Sequence, residues 1–186
     1  MSEFSESHHL RTDDQAEAVE LLERARRSGW VFPPANGWTM IVVDAPFDGE
    51  PDPTLVAANE GLLLHYVNAE DHGWGFSVFD GTDAVSTYEI EWTDEVDVDD
   101  EELDLDALRA RLPHVADEQW QAIERELGEP DEDALVALVN PGHRVAAALG
   151  LAQVEWVSGP YLASDPPDTP GVVRFDAPGP PRLRSV

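Results

Sequence analysis

Apolar positions recur with two different periods along this 186-residue chain, and the change of period divides it into elements. Ala18, Val19, Leu22 and Ala25 fall at helical spacing and form one stripe. Thr12 with Gln15 supplies a capping pair before that stripe, Asp13 and Asp14 fill the first turn, and Arg24, Arg26 and Arg27 close the last turn before Gly29. The period then drops to two. Trp30-Val31-Phe32 is β-prone, Pro33-Pro34 interrupts it, and Asn36-Gly37 is a turn dipeptide. Trp38 to Val43 and Leu62 to Val67 are apolar on both alternating faces, the mark of central strands covered on two sides. Pro46 to Pro53 reads as a loop, and Thr54 to Ala58 adds a helical turn.

Trp74, Phe76 and Val78 alternate with Gly75, Ser77 and Phe79, and Asp80-Gly81-Thr82-Asp83 turns the chain into a further strand. There Tyr88, Ile90 and Trp92 share one face and Thr87, Glu89 and Glu91 the other, which predicts a half-buried strand with an acidic outer side. After residue 104 the helical period returns: Leu105, Leu108 and Leu112, then Trp120, Ile123 and Leu127. Further short helices are expected over Asp131 to Val139 and from Pro141 through Ala148, and Leu151 to Trp156 reads as one late strand. Such short helices persist only when packed on the sheet.

The predicted architecture is an α+β domain over residues 1–164. It has an antiparallel sheet of about four to five meandering strands plus the late one, a single layer of helices comprising the N-terminal helix and a C-terminal group, and a Pro/Gly-rich extended or disordered tail over 165–186. The first ten residues are polar, so His8 and His9 are expected to be unstructured, and they lack the basic-then-apolar signature of a signal region. No stretch has the ~18 apolar residues a membrane span requires, and the chain reads as cytoplasmic.

Charge changes the picture more than any motif does. Acidic residues number 39 against 11 basic ones, a net charge of −28, and every basic residue is arginine. Such a surface repels nucleic acid and anionic membranes, which excludes both as partners. The absence of cysteine removes disulfides, thiolate metal sites and cysteine nucleophiles. No dinucleotide, phosphate-loop, serine-hydrolase or zinc-protease motif is present, and a lysine-free chain has no phosphate-loop lysine or Schiff-base nucleophile. The sequence leans away from an enzyme and calls for no cofactor.

Two general causes produce an acidic chain of this kind: adaptation to a salt-rich cell, and a GC-rich genome that replaces lysine by arginine. Both predict evenly spread acidity. Instead the chain carries −8 over residues 1–62, −16 over 63–124 and −4 over 125–186. Nine acids lie between Thr93 and Asp106, in a run that holds Asp94, Glu95, Asp97, Asp99, Asp100, Glu101 and Glu102. A calcium loop would need a glycine for its sharp turn, and this run has none. A solvated connector or a partner-facing surface remain.

On the second reading Glu89, Glu91, Asp94, Glu95, Asp97, Asp99, Asp100, Glu101 and Glu102 engage a basic protein, in the manner of inhibitor- or immunity-like acidic proteins. The helix, Pro, helix, Asn-Gly order of bacterial immunity proteins is matched only at its edges, by Phe32 to Gly37, and its second helix is missing, so no family is assigned. The alternative is a small-molecule or metal site at His65, Glu70, Asp71 and His72, whose nitrogen and oxygen donors suit a divalent ion. A salt-adapted housekeeping protein without a special acidic face is the third reading. Oligomeric state is not encoded in any feature of the pattern.

Overall fold

The computed structural model describes residues 2–70, 72–92, 96–127 and 140–178. The expected helix over Asp131 to Val139, together with Asp71, Asp94 and Glu95, lies outside them. The α+β class holds, but the described residues form one antiparallel sheet of eight strands with six helices, not four to five strands plus one.

The strands are β1 (Phe4–Leu10), β2 (Gly29–Val31), β3 (Thr39–Val43), β4 (Leu62–Ala69), β5 (Gly73–Asp80), β6 (Asp83–Trp92), β7 (Val96–Asp99) and β8 (Val173–Phe175). They lie in the order β7-β6-β5-β4-β1-β3-β2-β8. The helices are α1 (Gln15–Ala25), α2 (Pro53–Ala58), α3 (Leu105–Arg111), α4 (Asp117–Glu126), α5 (Pro141–Ala148) and α6 (Gly159–Ser164). None of the helices described is long and apolar enough to cross a membrane.

Local sequence explains most boundaries. Asp14, Asp52, Asp104 and Asn140 each accept a backbone N–H in the first turn of the helix they cap, and the C-cap residue Arg26 ends α1 in the left-handed region at φ 54°. Asn36 and Gly37, with φ of 54° and 80°, make the tight turn that their dipeptide predicts.

The largest departure is β1. Instead of an unstructured end, it is hydrogen-bonded between β3 and β4 at the middle of the sheet, and His8 and His9 are 2% and 1% exposed. A ladder on both sides satisfies its backbone, and its polar side chains find partners, so the strand is buried without being apolar. The tail contributes as well: β8 pairs with β2 at the far edge. Leu151 to Trp156 forms no strand, because Gln153 and Trp156 take φ values of 60° and 56° that turn the segment away from extended backbone.

Helices cover both faces of the sheet rather than one. Consecutive residues of a strand point to opposite faces, and Leu63 packs with Leu21, Leu22, Ile41 and Leu55 under α1 and α2, whereas Leu64 packs with Trp120, Ile123 and Val145 under α4 and α5. Met40, Val42, Trp30 and Leu162 make a smaller cluster beneath α6.

Candidate functional site

From Val96 onward the acidic run is structured. Its middle is β7, an edge strand paired antiparallel to β6 with Glu89 opposite Asp99 and Glu91 opposite Asp97. Directly opposed residues share a face, so the four carboxylates stand together, all exposed. Val98 points the other way and packs on the core. The chain then turns: Asp99 accepts the Glu101 N–H at 3.3 Å, the Glu102 carbonyl accepts the Thr87 N–H at 3.1 Å, and Asp104 caps α3. Asp100, Glu101 and Glu102 are therefore exposed at a turn tied to β6, not on a loose connector.

Register carries this face inward across the sheet. One row runs Glu6, Val67, Gly75, Glu89, Asp99 over β1, β4, β5, β6 and β7. Gly75 places no side chain in the row; a Cβ there would lie 2.8 Å from the Tyr88 carbonyl oxygen. In the loop before α2, Glu50 is close enough to Glu89 to act on it: burial first, then Glu91, Glu50 and Asp99, raise the Glu89 carboxyl above its ordinary value. Among the described residues no arginine pairs with Glu89, Glu91, Asp97 or Asp99; the arginines pair with Asp44, Asp52, Asp80, Glu124, Glu126 and Asp176.

At the inner end of the row lies a cavity of about 200 Å³ between β1 and the loop before α2, lined by Glu6, His8, Arg27, Asp48, Glu50 and Asp52 among others. His8 Nε2 accepts the Asp52 N–H at 3.1 Å, which puts the ring proton of the neutral imidazole on Nδ1. Asp52 Oδ1 caps α2 through the Thr54 and Leu55 N–H groups at 2.9 Å each, and Oδ2 pairs with Arg27 at 2.7 Å. Burial works to raise the Asp52 carboxyl, yet the Thr54 hydroxyl, the backbone donors and Arg27 outweigh it and hold the group below its ordinary value.

Glu6 has backbone donors but no cation among the described residues. Burial, then Asp48 and Asp52, push its carboxyl up to about 7 against the pull of the Asp48 and Gly49 N–H groups. Its Oε1 stands 3.4 Å from His65 Nε2, a buried nitrogen without a hydrogen-bond partner among the described residues. Burial holds the His65 imidazole down to about 4, so it is neutral near pH 7 and supplies no countercharge.

Of the four residues suggested as a metal or small-molecule site, the three described, His65, Glu70 and His72, have separate surroundings. His65 lies mid-strand beside His8, with ring centroids 4.8 Å apart. Glu70 closes the sheet end, accepting the Glu3 N–H at 3.0 Å, while His72 is exposed with its ring 5.8 Å from Phe4. Asp71 is outside the described residues, among which no group of three or more His, Asp or Glu is arranged to hold a metal ion.

The opposite face of β1 carries a second polar cluster. Glu3 Oε1 accepts the Ser5 hydroxyl at 2.5 Å and the Trp156 N–H at 3.0 Å, and stands 3.4 Å from His143 Nε2. Nearby opens a cleft of about 830 Å³ whose lining includes His143, Gln153, Glu155, Trp156, Asp165 and Asp168. Sequence reasoning missed Glu3, Glu6, His8 and His9; the one signal that pointed to them was the alternation of Glu and Ser leading into His-His-Leu, which reads equally as a polar end. No family model, curated protein or solved structure matches the chain.

Proposed function

We propose that this is a non-enzymatic binding protein that engages a basic protein partner through the acidic face of β6 and β7 and the turn that follows. The observation that carries the reading is the pairing of like charges. Carboxylates directly opposite each other across strands repel, and a fold gains nothing from holding Glu89 against Asp99 and Glu91 against Asp97 without a cation. An arginine- or lysine-rich surface docked there supplies the missing charge, steers association, and loses affinity as salt rises.

The test is capture of partners from cells of the source organism by the wild-type chain and by a variant with Glu89→Gln, Glu91→Gln, Asp97→Asn and Asp99→Asn. The expected outcome is a basic partner retained by the wild type, released by salt, and missing from the variant. Retention of the same partners by both proteins overturns the proposal.

A second reading, small-molecule binding, has its support in the cleft beside Trp156. Its volume of about 830 Å³ lies in the range of ligand sites, and Trp156 is 44% exposed on backbone at φ 56°. A ligand library screened by Trp fluorescence tests it: binders are expected to lose their signal in Trp156→Ala, and a signal unchanged by that substitution overturns it.

A further inference from the structure

The cavity at the inner end of the acidic row differs from the exposed face in being recessed, small and mixed in chemistry. Its floor is Glu6 and His8 on β1; its wall is the loop that carries Asp48, Glu50 and Asp52. About 200 Å³ equals roughly seven water volumes, below the 300–1,000 Å³ of sites for drug-sized ligands, so the cavity accommodates a single side chain or a fragment of that size.

Charge selects the fragment. Among the described residues Arg27 is the one cation in the lining, and it is paired with Asp52 at 2.7 Å. Glu6, Asp48 and Glu50 are left without a cation among the described residues. An anion would face those three carboxylates. An apolar group would strand them, together with the buried and unpartnered His65 Nε2 that aims at Glu6 from within the sheet. A planar cation with several N–H donors satisfies carboxylates on two sides at once, which an ammonium on its single centre does less well.

We infer that this cavity is a receptor for one guanidinium group, presented by an arginine of the basic partner that docks on the adjoining acidic face. The inference rests on the reading of that face as a partner surface. Glu50 links the two, since it lines the cavity and also acts on Glu89.

The experiment titrates the purified chain with methylguanidinium chloride, with methylammonium chloride and sodium chloride at equal ionic strength as references, and follows the ring signals of His8 and His65 by NMR. A short peptide with one arginine among neutral residues, and a second with flanking arginines, form the other arm. Saturable shifts with methylguanidinium, absent with sodium, are expected, with affinity at least tenfold lower in Glu6→Gln and in Asp48→Asn. The two variants place the loss on different elements, so a folding defect in one does not decide the result.

Asp97→Asn with Asp99→Asn is expected to leave methylguanidinium binding unchanged but to remove the advantage of the multi-arginine peptide. No saturable shift beyond that of sodium, or the same shift in Glu6→Gln and Asp48→Asn, overturns the cavity as a guanidinium site whatever the face does. Guanidinium binding with no peptide preference overturns the partner assignment instead, and with it the reading of the face.

Discussion

Glu3 and Glu6 sit three residues apart at the start of one central strand, both removed from bulk water and on opposite faces of the sheet, and they have opposite surroundings. Glu3 is met by donors: a hydroxyl, a backbone N–H and a histidine ring on one oxygen. Glu6 receives the Asp48 and Gly49 N–H groups but faces the Asp48 and Asp52 carboxylates and a histidine that burial keeps neutral. Burial is common to both, so the company of each carboxylate decides its role. Glu3 fastens the segment after α5 to the sheet, whereas Glu6 lines a cavity with no cation among the described residues to pair its carboxylate.

The largest test of this contrast is pH. His8, His9 and His65 are held down by burial, His9 to about 3 and His65 to about 4, so the folded state keeps them neutral while the unfolded chain protonates them near 6.5. Glu6 acts in the other sense. Its folded value of about 7 against an ordinary 4.5 means the folded state binds one proton that the unfolded state has released.

Between pH 6.5 and 4.5 acidification therefore favours the unfolded chain by three protons minus one, a loss approaching 2–3 kcal/mol per pH unit. Above 6.5 the unfolded histidines lose their remaining protons while Glu6 ionises in the fold near 7, so the two contributions nearly cancel and stability levels off. Urea unfolding across pH is expected to show stability rising through 6.5 to a plateau above roughly 7.5; a maximum below 6 would break the account. The groups facing Glu6 in this window are His8 and His65 on the sheet and Arg27, Asp48, Glu50 and Asp52 around the cavity.

Next in size is the structural carboxylate. Glu3→Ala leaves the Trp156 N–H and the Ser5 hydroxyl without their acceptor in a buried setting, a loss of about 3 kcal/mol in denaturant unfolding. Glu6→Gln is expected to do the reverse above pH 7. It removes a charge whose ionisation in the fold costs about 2 kcal/mol after allowing for partial exposure, and the gain vanishes near pH 4.5. If both substitutions destabilise equally at pH 8, the two sides of β1 are alike and the contrast fails.

How far the sequence revealed this site follows from the same strand. Periodicity located α1, β3 through β6, α3 and α4 because their apolar residues repeat cleanly, and Pro141 marked the start of α5. It failed at β1, where burial is achieved by mutual pairing of Ser7 with His9 and Ser5 with Glu3, a solution that leaves no apolar pattern. β7 was read as part of an acidic run because its alternation of Val and Asp is four residues long. The late strand failed for a conformational reason: left-handed φ at Gln153 and Trp156, neither a glycine, carries no mark in composition. The acidic face was legible as charge, but its shape depended on register, which places Gly75 and Glu6 in line with Glu89.

The smallest predicted effect bears on the outer end of that row. If Glu89 with Asp99 and Glu91 with Asp97 are held together for a partner and not for the fold, removing the repulsion stabilises the isolated protein. Asp97→Asn with Asp99→Asn, which breaks both cross-strand pairs, is expected to add roughly 0.5 kcal/mol per pair at low salt. The gain shrinks toward zero at molar salt, where screening acts over about 3 Å. A chain adapted to salt as a whole would instead lose structure at low ionic strength with or without these two changes, because its remaining acids would still repel. Thermal unfolding of both proteins from low to molar salt separates the cases: a difference confined to low salt places the repulsion on this face, and parallel curves place it on the acidic background.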